Sequence, residues 1–151
     1  MIKLHKLIAT AGGIGYIEKG AGTVAAAAYC LICYFIPAID HAYLWQVLLI
    51  ILVTTTGVYS AGKVENVWGH DSNKVVIDEV AGMMLTMLFV PFTWKYLLAG
   101  LILFRFFDIA KPLFIRKAEL LPGGFGVMAD DILAGAYARI ILSIVISTKL
   151  L

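Results

Sequence analysis

Six acidic side chains, Asp71, Asp78, Glu79, Asp108, Asp130 and Asp131, stand at the ends of apolar runs in a chain with ten acids among 151 residues. If those runs are membrane spans, all six fall on one face. A carboxylate in or beside hydrocarbon is costly, so several converging on one side argue for a site. Carboxylates interspersed with a few cations suit a hard ion such as Mg²⁺ together with a phosphate-bearing substrate.

Four segments carry this chemistry. Gly12-Gly13-Ile14-Gly15 through Gly20-Ala21-Gly22-Thr23 brings flexible backbone to the start of an apolar run. There N–H groups can approach a phosphate at a helix N-terminus, with Thr23 as cap or hydroxyl ligand. No Gly-Lys-Ser/Thr follows, so it is not a P-loop. His70-Asp71 precedes the pair Asp78-Glu79, whose acids either cap a first helical turn or face the bundle. Arg105, Asp108 and Lys111 recur every third residue and share one helical face, where they can neutralise one another or grip a phosphate. Gly123-Gly124-Phe125-Gly126 reads as a turn delivering Asp130 and Asp131 to the start of the last apolar run. One of these is explained by capping, and two invite a cation.

The elements that must position these groups follow from hydropathy. The chain is 62% hydrophobic and 15% charged, with mean hydropathy +0.93. The expected fold is all-α: one domain over 1–151, a compact multi-helix membrane bundle of about five spanning or partly immersed helices. The expected spans are Thr23–Ile39, Tyr43–Ala61, Val75–Phe92, Lys95–Ala110 and Asp131–Thr148. Several fall short of the roughly 20 residues of a straight crossing, so tilt, thinning or partial immersion is expected. Lys3, Lys6, Lys19, Lys63, Lys74, Lys111, Arg116 and Lys117 lie on one side, against Lys95 and Lys149 on the other. The positive-inside rule places the richer side, and the acids with it, in the cytoplasm; Asp40 alone faces out.

Other classes fit less well. A net charge of +2 with no basic cluster gives no footprint for nucleic acid. Cys30 and Cys33 form a C-x-x-C within Ala25–Ile36, where they read as small apolar residues rather than a redox or zinc pair. A small membrane transporter or ion-coupled carrier is the alternative, but it asks for charge at mid-span. The charges here gather at one end.

In order and spacing, Asp78-Glu79 with Ala81-Gly82, Arg105-x-x-Asp108-x-x-Lys111-Pro112, and Gly123-Gly124 through Asp130-Asp131-x-x-Ala134-Gly135 resemble the phosphatidylglycerophosphatase A family, from about Thr10 to Ile146. Ala21-Gly22-Thr23-Val24-Ala25 departs from the family's usual Pro-Gly-Thr then Gly-Ser, and the prolines usual before it are replaced by Ile17-Glu18-Lys19. The resemblance implies Mg²⁺-dependent hydrolysis of phosphatidylglycerophosphate to phosphatidylglycerol and phosphate. The implied setting is the bacterial inner membrane, with a bilayer phospholipid as substrate. Joined to the chemistry above, it assigns Asp78, Glu79, Asp130 and Asp131 to the metal. Gly22, Thr23, Arg105 and Lys111 fall to the phosphate, and Asp108 with Asp131 to catalysis. Water oriented by Asp108 and an aspartyl-phosphate are both open as the nucleophilic route.

Overall fold

The computed structural model describes residues 2–35, 43–69 and 72–149. Asp40, His70 and Asp71 lie outside the described residues. The described residues form α1 (Ile2–Ala9), a 3₁₀ turn (Ile14–Tyr16), α2 (Ala21–Phe35), α3 (Tyr43–Trp68), α4 (Ile77–Thr86), α5 (Trp94–Ala110), α6 (Ile115–Ala118) and α7 (Gly124–Ser147), and no strand. The all-helical expectation holds.

Helix lengths differ from the expected spans in informative ways. Among the described residues, α3 alone is long and apolar enough to cross a membrane by length and composition. Its 26 residues reach about 39 Å at 1.5 Å per residue. Val75–Phe92, expected as a span, holds only the ten residues of α4, about 15 Å. Just beyond α4, Phe89 takes a positive φ of 61°. A helix surrounded by protein and one surrounded by lipid are equally apolar, so hydropathy did not separate them. The last helix starts at Gly124 rather than Asp131. The glycine-rich run read as a turn is its first turn, lying against α3: a side chain on Gly124 would meet the Val58 carbonyl oxygen at 2.0 Å.

α4 is the centre of the bundle. It runs parallel to α7, and the two cross at glycines: a Cβ on Gly135 would meet the Gly82 carbonyl oxygen at 2.3 Å. Thr86 donates to the Gly82 oxygen at 2.9 Å and to the Gly135 oxygen at 3.4 Å, stitching the crossing. Antiparallel α5 closes over it with Phe104, fully buried among Met83, Met87, Ala134, Ala138 and Leu142. Cys30 and Cys33 are free thiols in this same core, as expected of apolar filler. α2, α4 and α7 therefore start at one end of the bundle, where α3 and α5 finish.

Gly135→Ala should push α4 and α7 apart. The overpacking should cost about 1–3 kcal/mol, read as a lower melting temperature of the purified protein in detergent. A melting temperature equal to wild type would contradict so close a crossing.

Candidate active site

The α4–α7 crossing places the start of α4 beside the second turn of α7. One carboxylate oxygen each from Asp78, Glu79 and Asp131 lies within 4.8 Å of the others. Asp78 and Asp131 are buried, 7% and 3% exposed. Asp131 lies about two turns into α7, so capping does not explain it. α2 closes the cluster from the side. Gly22 lies against Glu79: a Cβ there would meet Glu79 Oε1 at 1.8 Å, so the carboxylate would have to shift.

These acids oppose one another. Burial, then the charges of Glu79 and Asp131, push the Asp78 carboxyl well above the usual range. Burial also raises Glu79; a hydrogen bond with Asp78 opposes the shift and the charge of Asp108 adds to it. Glu79 Oε2 and Asp131 Oδ1 are buried with no hydrogen-bond partner. Buried oxygens left bare are rare in folded proteins. Three converging carboxylates with two orphaned oxygens fit a hard divalent cation, which Asp78, Glu79 and Asp131 would hold.

Around the cluster is an open cleft of about 250 Å³, walled by Gly20, Ala21 and Gly22 at the start of α2, Ser72, Asn73, Asp108, Lys111 and Asp130. The first α2 backbone bond runs from the Val24 N–H to the Gly20 oxygen. The N–H groups of Ala21, Gly22 and Thr23 are therefore first-turn donors outside the helix ladder, as anion seats use. Lys111 leaves α5 in the left-handed region, φ 43°. Its Nζ bonds Asp130 Oδ2 at 2.7 Å and Glu119 Oε1 at 3.1 Å. Burial alone would lower the Lys111 pKa, but these two carboxylates outweigh it and hold the ammonium above its ordinary value.

Most of the sequence-predicted residues meet here, with three differences. Asp130, expected beside the metal, turns its Oδ2 to Lys111 while its Oδ1 accepts from the Asp131 N–H. Thr23 is exposed and outside the cleft wall, although its backbone belongs to the α2 first turn. Arg105 stands behind the wall, paired with Asp108 and 3.9 Å from Glu79 Oε1. Sequence reasoning missed Ser72, Asn73 and Glu119. They are ordinary polar loop residues, and only the fold brings Ser72 and Asn73 to the cleft wall and Glu119 to Lys111.

The chain matches the family described as Phosphatidylglycerophosphatase A over residues 7–146. It belongs to that family. It is also 34% identical over 136 residues to the Phosphatidylglycerophosphatase A of Escherichia coli, covering 86% of this chain and 75% of that one. A Haemophilus influenzae protein of the same name is 45% identical over 75 residues, 48% of this chain and 46% of its own. A Bacteroides thetaiotaomicron protein named "Putative phosphatidylinositol-3-phosphatase" is 40% identical over 149 residues, 93% of this chain and 92% of its own. No solved structure matches. As a member of the phosphatidylglycerophosphatase A family the chain is a phosphatase, and the acidic cleft is where residues of its separate acidic segments converge in space.

Asp78 and Glu79 hold protons more tightly folded than unfolded. Without a cation, their contribution to stability is present in acid and is lost as pH rises from the ordinary carboxylate range near 4 toward neutrality. Asp131→Asn removes one repelling charge. At neutral pH and in chelator, its melting temperature should exceed wild type by ~2–4 °C for each kcal/mol relieved. A lower melting temperature than wild type would mean the three acids do not repel.

Proposed function

We propose that this phosphatase hydrolyses the terminal phosphomonoester of phosphatidylglycerophosphate, with Mg²⁺, at the cytoplasmic face of a bacterial inner membrane. The carrying observation is the Asp78–Glu79–Asp131 cluster opening into a cleft that also holds Lys111 and the start of α2. When bound at these carboxylates, the divalent ion supplies charge neutralisation for phosphoryl transfer. The remaining roles belong to the chain's own groups. The α2 N–H groups and Lys111 receive the phosphate oxygens, while Asp130 and Glu119 hold Lys111 in place. Asp108, on the cleft wall, orients the attacking water and accepts its proton. Arg105 keeps Asp108 and Glu79 in register from behind, a positioning role in place of direct phosphate contact.

A membrane setting is supported by what the bundle exposes. Leu48, Leu49, Ile51 and Leu52 on α3, and Leu98, Ile102 and Ile109 on α5, face outward. Apolar surface of that extent marks a lipid or protein interface. Tyr34, Phe35, Tyr43, Trp45 and Trp94 are exposed at the end opposite the cleft, as an interfacial aromatic belt would be. The lysine bias supports a cytoplasmic cleft. The carrier alternative is disfavoured because the acids sit together at one end, beside an open cleft.

The 40%-identical relative named for phosphatidylinositol 3-phosphate supports one competing substrate. Phosphate release by the purified protein from each lipid decides between them. Phosphatidylglycerophosphate should be hydrolysed at least roughly tenfold faster, a difference of about 1.4 kcal/mol in transition-state binding. Chelation should stop the reaction, Mg²⁺ restore it and Ca²⁺ restore it poorly, its looser geometry suiting the site less. Preference for the inositol lipid would reassign the substrate, and full activity in chelator would remove the metal.

Asp108→Asn preserves shape and removes the charge. Turnover should fall by roughly 10²–10⁴, the range for a general acid–base group, with the melting temperature little changed. A folded variant with wild-type turnover would remove Asp108 from catalysis.

A further inference from the structure

An apolar groove of about 270 Å³ runs between α2 and α5, lined by Ala27, Leu31 and Tyr34 on one side and Trp94, Leu98 and Leu101 on the other, among others. Its α5 wall continues a helical stripe that reaches the cleft at Asp108, and its α2 wall one that ends at Thr23, next to the cleft residue Gly22. On α2, residues 23, 27, 31 and 34 step by four, four and three, so Thr23 stands directly above Ala27. On α5, residues 94, 98, 101, 105 and 108 step the same way, so the face carrying Leu101 carries Arg105 and then the cleft residue Asp108. By helical rise, the upper edge of the groove at Leu101 lies about 10 Å below Asp108, and its lower edge at Trp94 about 21 Å below.

We propose that this groove seats an acyl chain of the lipid substrate, running down from the cleft along α2 and α5. The inference rests on the lipid-phosphatase reading and adds where the tail lies. The occupant is a substrate tail because the groove is almost entirely apolar, opens laterally, and begins about 10 Å below the cleft residue Asp108 on the same helix. Ala27 leaves the space, and Leu31 and Leu98 flank it. Since bilayer hydrocarbon is as apolar as these side chains, the groove adds little affinity. Its effect is orientation, fixing the depth and angle at which the headgroup enters the cleft. Misplacement by about 1 Å can cost on the order of 10²-fold in rate.

Two measurements test this, one of them independent of turnover. Phosphatidylglycerophosphate bearing a photoreactive tail is placed in vesicles with the protein, beside phosphatidylcholine bearing the same tail. Adducts on Leu31, Leu98 and Leu101 should be in excess for the phosphomonoester lipid, and Ala27→Trp should abolish that excess. Equal labelling by the two lipids overturns the proposal, even if the protein hydrolyses phosphatidylglycerophosphate. The excess without hydrolysis supports the groove and refutes the assigned reaction. In the kinetic arm, Ala27→Trp should lower kcat/KM for the diacyl substrate by roughly tenfold or more, sparing the deacylated headgroup phosphomonoester. Leu52→Trp, on the outer face of α3, should leave both rates alone. Equal loss on both substrates with Ala27→Trp, or loss on neither, would place the tail elsewhere.

Discussion

Three carboxylates confined within 4.8 Å and largely removed from water form a repulsive arrangement that a chain left to itself would avoid. The fold holds them there by backbone contact. Gly82 and Gly135 let α4 and α7 touch main chain to main chain, with Thr86 bonding across the seam. Gly22 lets α2 close against the Glu79 carboxylate. Apolar packing below the site, with Phe104 at its centre, supplies the opposing free energy. Burial that raises the cost of each charge also strengthens the attraction of the cluster for a cation, since both follow from the low local dielectric. Stability without the ion and affinity for it are therefore opposite faces of one term.

Much of this site is legible in the sequence because acids in a very apolar chain are too costly to be incidental. Asp78, Glu79, Asp108 and Asp131 all reach the cleft. What spacing did not disclose is direction. Neighbours on a helix point about 100° apart, so Asp130 and Asp131 divide, one toward Lys111 and the other toward Glu79. The three-residue rhythm of Arg105, Asp108 and Lys111 presumes one continuous helix, whereas the chain turns left-handed at Lys111. Its side chain then meets Asp130 and Glu119, and Arg105 stays behind with Asp108.

The fold class was legible for the same reason as the site, and the element lengths were not. Hydropathy measures how poorly a segment suits water and does not say what replaces the water. α4 is apolar because α2, α3, α5 and α7 enclose it, while α3 is apolar with Leu48, Leu49, Ile51 and Leu52 facing out. Glycine-rich runs mislead in the opposite way. Residues 123–126 look like a turn, yet Gly124 and Gly126 are buried helical positions where neighbouring backbone leaves no room for a side chain.

A short central helix also solves a problem of access. Phosphoester hydrolysis needs water and a charged headgroup at the reacting centre, whereas the substrate's tails stay in hydrocarbon. A full-length span would put its end groups out in the aqueous phase, away from the depth at which a lipid phosphate rides. α4 instead starts below polar connections that include Gly20, Ser72 and Asn73, which wall the cleft on its outer side. The carboxylates thus open into a cleft at one end of the bundle, between helices whose outer faces are apolar. In such a place a carboxylate needs a counter-charge: Arg105 and Lys111 supply it for Asp108 and Asp130. Glu79 Oε2 and Asp131 Oδ1 have no hydrogen-bond partner. The cluster is therefore less well satisfied than the carboxylates around it, and its donor set fits a divalent cation.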